Sequence, residues 1–334
     1  MSIFKKEKEI ITPDGEVVIV PKQSFWERIK PKNMTEMEWE RWRRKNINLN
    51  GFGKLCWIIA RFIIIFGISF MILYPFLVKG IVSFMSTNDI TDKTVMYLPR
   101  EGSTYFIEKA IVSMDYWNSL LNTALLSLAV AIFQLLISTI VGYGFARFKF
   151  WGSTVLFFAV ILTLIIPTQT ITIPLYVRFS NLMGINLLNT FWPLVLLSAT
   201  GLGLKNGLYI YMMRQFFRGM PKELEESAYL DGAGHFRTFA VVMLPNAMNM
   251  MLTVFLFAFT WQWTDTTYND MLIPDLPILT NTVWNVTKSS TADALQQATL
   301  LDTASLLVIF PLLLVFLVCQ RYFVQSIERS GLVG

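Results

Sequence analysis

The sequence predicts an all-α, polytopic membrane protein with six transmembrane helices, and three observations carry that prediction. Of 334 residues, 54% are hydrophobic and only 15% charged, against roughly 25% in soluble domains, so there are too few charges to cover a water-facing surface. Uncharged windows recur at about the 20-residue length that crosses a hydrocarbon core. Basic residues concentrate in alternate loops, which is the signature of a chain threaded through a bilayer. Windows this long exceed buried strands, and backbone in lipid must satisfy its own hydrogen bonds as helix.

About 50 polar residues precede the first window. A signal peptide puts its apolar core within the first ~15–30 residues, so no cleavable signal is expected. Thr35-Glu36-Met37-Glu38 has capping-box spacing ahead of Trp39 and Trp42, which predicts a helix start. With Arg41, Arg43 and Arg44 beside the indoles, that helix either lies on the membrane surface or is solvated. The first window, 62–78, runs on past Lys79 toward Met85. The second is 120–146. The third, 151–177, holds Pro167 and Pro174 around a Thr-Gln-Thr run, which fits either a helix broken beside a cavity or a packed kink. The fourth is 181–204, with the option of sliding across Lys205 to Met213. The fifth, 241–264, is entered after Pro245, and the sixth is 303–320.

Lys and Arg fix the expected orientation. Arg61 and Lys54 stand before the first window, Arg147 and Lys149 between the second and third, Arg214, Arg218, Lys222 and Arg237 between the fourth and fifth, and Arg321 and Arg329 after the sixth. The opposite loops are poorer, so both termini are expected in the cytosol.

Composition also excludes. Cys56 and Cys319 make neither a disulfide framework nor a metal cluster,. The net charge of +5 lies beside apolar segments rather than along one stripe, so no nucleic-acid partner is expected,. No Gly-x4-Gly-Lys-Ser/Thr loop occurs, since Gly51-Phe-Gly-Lys and Gly201-Leu-Gly-Leu-Lys lack the spacing,. The chain is therefore expected to bind no cofactor itself. No Asp or Glu falls inside the six windows, which argues against the alternative of a self-sufficient secondary transporter or channel coupled to ions. No His, Cys and carboxylate cluster suggests an enzyme. His235, the one histidine, has no nucleophile pattern around it and reads as a surface or subunit contact.

The most informative segment precedes the fifth window. Pro221 suits a first helical turn, and Glu223, Glu225 and Glu226 favour its positive end. Leu224 and Ala228 share a face, and Gly232 and Gly234 break the helix. A second short helix carrying Phe236, Phe239 and Met243 is expected next, ahead of Leu244-Pro245. Such a helix–turn–helix is a docking element for a partner's groove.

Glu226-Ser227-Ala228, three residues, Gly232, nine residues, then Val242-x-Leu244-Pro245 resembles the "EAA" loop of bacterial ABC-importer permeases, with Ser227 for Ala and Val242 for Ile as small departures. Arg214-Gln215-Phe216-Phe217, Pro221 and Asp231-Gly232-Ala233 look like the carbohydrate-uptake, MalG-like branch of binding-protein-dependent inner-membrane components. The resemblance runs from about Ile58 to the C-terminus. It implies a type I ABC importer permease architecture in a bacterial plasma membrane. Residues 1–54 would form a cytosolic extension, and 55–334 the permease domain with a cytosolic coupling loop at 216–245. It implies as partners a second, paired permease, a cytosolic ATPase dimer that uses the ATP, an extracytoplasmic sugar-binding protein and a carbohydrate. Glu226 would hold the docking contact and Gly232 permit the turn, among Glu225, Ser227, Ala228, Asp231, Ala233, Leu244 and Pro245. The C-terminal tail, with Gly331 and Gly334, would either reach the ATPase or be disordered.

The substrate path has candidates with two readings each. Gln134 and Gln169 either hydrogen-bond sugar hydroxyls or pack helices. Lys205, beside Asn206, lines the path or snorkels. Trp261 and Gln262 stack on and bind a sugar ring, or Trp261 anchors at the interface.

Overall fold

The computed structural model describes residues 7–11, 17–21, 35, 37–39, 49–288 and 293–331. It has two compact units, Met1–Tyr74 and Pro75–Gly334.

In the first unit, β1 (Glu7–Ile11) and β2 (Val17–Pro21) pair antiparallel with Glu7 opposite Pro21. This hairpin was not expected from the sequence, although Ile10, Ile11, Val17, Val18, Ile19 and Val20 are β-branched and suit a pleated ribbon,. The capping box forms as predicted. The Thr35 amide donates to Glu38 Oε2 at 3.1 Å, and the Glu38 amide to Thr35 Oγ1 at 3.4 Å. Arg41, Trp42, Arg43 and Arg44 lie outside the described residues, so the surface-helix reading does too. Helix α1 (Leu49–Ser83) carries a ladder of Phe62, Phe66, Phe70 and Tyr74, with successive ring centroids 6.0, 6.4 and 5.6 Å apart. These rings are exposed. A helix this long and apolar on all sides is of the kind that suits a membrane.

The second unit starts at Pro75. Short α2 (Thr87–Thr91) and α3 (Tyr105–Ser113) lead into α4 (Tyr116–Arg147), the central helix against which the helices at 192–199, 206–219 and 244–264 pack. Its buried face includes Ser119, Thr123, Ser127, Ala131, Ser138 and Gly142. Small residues let membrane helices approach where no hydrophobic gradient drives them together. Gly142 is a point of close approach, since a Cβ there would sit 2.6 Å from Met213 Cβ and 2.9 Å from the Arg214 backbone nitrogen.

The third window is broken. Helix α5 (Ser153–Ile165) and α6 (Thr168–Ser180) meet at 98°, with Pro167 in extended conformation between them. The fourth window is corrected. Residues 181–191 are a loop, followed by α7 (Trp192–Ala199), an unwound stretch at 200–205, and α8 (Asn206–Gly219). The segment from 181 is uncharged without being apolar. Asn189 uses its polar groups on the loop beyond the fifth helix, with its amide donating to Leu272 O at 2.8 Å and its Nδ2 to Asp275 Oδ2 at 2.8 Å.

After α9 (Glu223–Leu230), α10 (His235–Thr238) continues through a π-helical turn at Phe239–Met243 into α11 (Leu244–Thr264). The expected second short helix is thus the start of the fifth span, which runs His235–Thr264 instead of beginning after Pro245. Pro245 has no N–H for the ladder, and the wider π-turn absorbs that loss. Asn246 Nδ2 donates to Val242 O at 2.8 Å within the same turn.

Short α12 (Thr267–Leu272), α13 (Leu279–Thr282) and α14 (Asn285–Lys288) precede α15 (Ala294–Gly331). Its apolar part begins at Ala294, earlier than the 303–320 window, so Asp302 lies within this last span. Lys79 of α1 pairs with Asp302, and Thr303 Oγ1 donates to Ser83 Oγ at 2.9 Å alongside. Pairing is what makes an acid tolerable at that depth. Among the described residues four helices are long and apolar enough to cross a membrane singly, and the bent α5–α6 pair makes five if it counts as one span. The tail stays helical to Gly331, and 332–334 are outside the described residues.

Candidate functional site

Two constellations stand out, one at each end of α8. At its C-terminal end is the predicted docking element. Helix α9 stops because Gly232 adopts φ +81°. The Ala233 amide donates to Ala228 O at 2.9 Å and the Gly232 amide to Tyr229 O at 3.0 Å. These two bonds form a Schellman cap, which requires a left-handed residue at the position of Gly232. His235 closes the turn from the other side, its Nδ1 lying 2.9 Å from Tyr229 Oη.

The three glutamates of α9 separate by function. Glu225 points inward and is buried. Tyr143 Oη donates to its Oε1 at 2.7 Å, and Arg147 Nε lies 3.2 Å from its Oε2, with side-chain exposures of 7% and 10% for the pair. The Arg147 Nε–H is misaligned for a hydrogen bond to that oxygen, so the contact is an ion pair. Arg147 Nη2 donates instead to Met220 O at 2.8 Å, tying down the chain just before α9. Tyr143 is itself wedged among Phe148, Phe217 and Phe239 at centroid distances of 5.7, 5.3 and 4.6 Å. Glu226, Ser227 and Asp231 are exposed, Ala228 is buried, and Ala233 is half-buried. Leu230 and Phe236 stand 89% and 82% exposed, giving the element an outward apolar face beside the Glu226 carboxylate. Leu244 and Pro245 open α11 away from that face.

At the N-terminal end of α8 is the unwound stretch. Gly201 and Lys205 both have left-handed backbones, φ +78° and +60°. Gln134, buried on α4, holds the stretch by donating from Nε2 to Leu204 O at 3.0 Å. Gly203 is needed there, as a Cβ would fall 2.4 Å from Gln134 Nε2. Asn206 is buried and its Oδ1 accepts from Ser138 Oγ at 3.3 Å. A cavity of about 360 Å³ opens between this stretch and the α5–α6 bend. A second, of about 230 Å³, is lined by Lys205, Trp261, Asp265 and the hydroxyls of Thr168, Thr264, Thr266 and Thr267. Lys205 Nζ sits 5.1 Å above the Trp261 ring centroid.

The structure therefore brings Gln134, Lys205, Asn206 and Trp261 together. Gln262 is buried and donates from Nε2 to Asn269 Oδ1 at 3.2 Å, and Gln169 is exposed on α6 outside both cavities. Asp265 was missed. It lies one residue beyond the fifth window, where only its sequence adjacency to Trp261-Gln262 signals it. Its Oδ2 accepts from the Tyr268 and Asn269 amides at 3.1 and 3.2 Å, and burial raises its carboxyl to about 6 despite those bonds.

Residues 134–329 match the family described as binding-protein-dependent transport system inner membrane component. The chain belongs to that family. Its match starts at Gln134, the residue that holds the unwound stretch, and takes in both constellations. The chain is 27% identical over 280 residues to the maltodextrin transport system permease protein MdxG of Bacillus subtilis, covering 83% of this chain and 96% of that one. It is 25% identical over 283 residues to the sn-glycerol-3-phosphate transport system permease protein UgpE of Agrobacterium fabrum, covering 82% and 96%. Its fold resembles, at TM-score 0.67 and 19% identity, a chain in the crystal structure of a bacterial ABC transporter involved in the import of the acidic polysaccharide alginate, covering 81% of this chain and 98% of that one. As an inner membrane component of this family, the chain is a multi-pass permease subunit of a binding-protein-dependent ABC importer. Among the described residues no group of three or more His, Cys, Asp or Glu is placed to hold a metal ion.

Proposed function

We propose that this permease forms half of the transmembrane pathway for a carbohydrate, with a second permease as the other half, both termini in the cytosol, and residues 220–234 seated on a separate cytosolic ATPase. An extracytoplasmic binding protein delivers the sugar, and ATP is bound and spent by the partner. One observation carries the reading. The docking helix is locked to α4 from inside by Glu225 while Glu226, Leu230 and Phe236 face out. A force applied to that outward face reaches α4 and, through the Met220 contact, α8. The sugar reading draws on the maltodextrin permease relative and on the hydroxyl-lined cavity.

The test is reconstitution. In proteoliposomes the chain alone should hydrolyse no ATP, and sugar uptake should require the paired permease, the ATPases and the binding protein. Uptake that persists with the ATPases left out would make the chain a self-sufficient carrier and overturn the proposal.

A further inference from the structure

We infer that Lys205, Asp265 and Trp261 form a subsite on this chain for one uncharged sugar ring in transit, a reading that rests on the proposed transport function. Lys205 is a non-glycine residue held at φ +60°, in the left-handed region that L-residues rarely adopt. Gln134 and the stretch 200–204 impose it, and its effect is to set the ammonium over the Trp261 ring and inside the smaller cavity. Asp265 lines the same cavity, fixed by two backbone amides of α12. The ammonium and the carboxylate face one cavity without closing on each other: the ion pairs among the described residues are Lys79–Asp302, Arg100–Asp92 and Arg147–Glu225.

A fixed donor and a fixed acceptor held apart match neighbouring sugar hydroxyls, each of which donates and accepts. Trp261 is 43% exposed, and an indole face suits the C–H face of a pyranose or furanose ring. Thr168 and Thr266 line the same cavity and bring further hydroxyl-bearing side chains to it. Charge decides the class. Lys205 alone would favour a phosphate or uronate, but the Asp265 carboxylate cancels its field and repels an anion at short range. Size decides the extent. About 230 Å³ is below the ~300–1,000 Å³ of a pocket that takes a whole ligand, so the site grips one ring of a chain that extends into the adjoining larger cavity,.

The test uses the complete importer in proteoliposomes, with radiolabelled glucose, maltose and maltotriose as neutral probes and glucuronate and sn-glycerol 3-phosphate as anionic ones. Wild type should import at least one neutral probe in preference to both anions. Lys205→Gly, which suits the left-handed backbone, and Asp265→Asn should each lower sugar imported per ATP hydrolysed by about tenfold. ATP hydrolysis stimulated by the binding protein should stay within about twofold, which a misfolded variant could not achieve. Trp261→Leu should act in the same direction. Preference for an anionic probe, or uptake of none of the neutral ones, overturns the inference. So does an unchanged sugar-to-ATP ratio in Lys205→Gly and Asp265→Asn, and that result leaves the proposed function standing. ATP-independent uptake by wild type defeats the proposed function itself.

Discussion

The two ends of α8 treat buried charge in opposite ways. At the docking end, Arg147 and Glu225 are closed on each other, almost fully buried and walled by aromatic rings. At the unwound end, Lys205 and Asp265 share a cavity and stay apart. A closed buried pair fixes two helices relative to one another and offers nothing to a ligand. An open pair keeps both groups available and fixes little. On the proposed function, that contrast separates a mechanical joint from a binding site in one chain.

The joint should be the more fragile. Glu225→Ala leaves Arg147 buried without its counter-charge, which should cost roughly 3–5 kcal/mol. Thermal unfolding of the purified complex reads that loss, and Arg147→Met in the same chain should return most of it while uptake per ATP stays low. Recovery of both would reduce the pair to a structural convenience. Gly142→Leu drives a side chain into Met213 and the Arg214 backbone, an overpacking worth about 1–3 kcal/mol,. It should separate α4 from α8 and lower the yield of assembled complex, measured by co-purification of the subunits.

These positions differ in how readily the sequence discloses them. The docking helix, its stop at Gly232 and the break at Pro167 are legible, because proline, glycine and clustered glutamates act locally. Gln134, Lys205 and Trp261 are legible as polar or aromatic exceptions in apolar windows. The unwound stretch 200–205 is not, since Gly201-Leu-Gly-Leu reads as apolar whether helical or open, and only the contact from Gln134 shows that it is open. Asp302 escapes a count of charge by window because the sixth window begins one residue after it, and its partner Lys79, 223 residues away, is not visible in the sequence. Tyr143 and Arg147 as partners of Glu225 are invisible for the same reason: the pairing is tertiary, and Arg147 by itself signals only orientation.

Smaller effects sharpen the same contrast. Gly232→Val forces a β-branched residue into the left-handed region at about 1–2 kcal/mol. It should uncouple ATP hydrolysis from uptake while membrane insertion, followed by alkali extraction, is unchanged. Tyr229→Phe removes one exposed hydrogen bond to His235, worth about 0.5–1 kcal/mol. Its uptake per ATP should fall less than twofold, so a large drop would show that the outer turn is itself part of the joint.

The most direct measurement is photo-crosslinking in the assembled importer, with a benzophenone amino acid placed at Phe236 or at Trp261 in separate preparations. An adduct with the ATPase subunit is predicted from position 236 and none from 261. An ATPase adduct from position 261, or its absence from position 236 in a complex that still transports, would contradict the assignment of the joint and the pathway to opposite ends of α8.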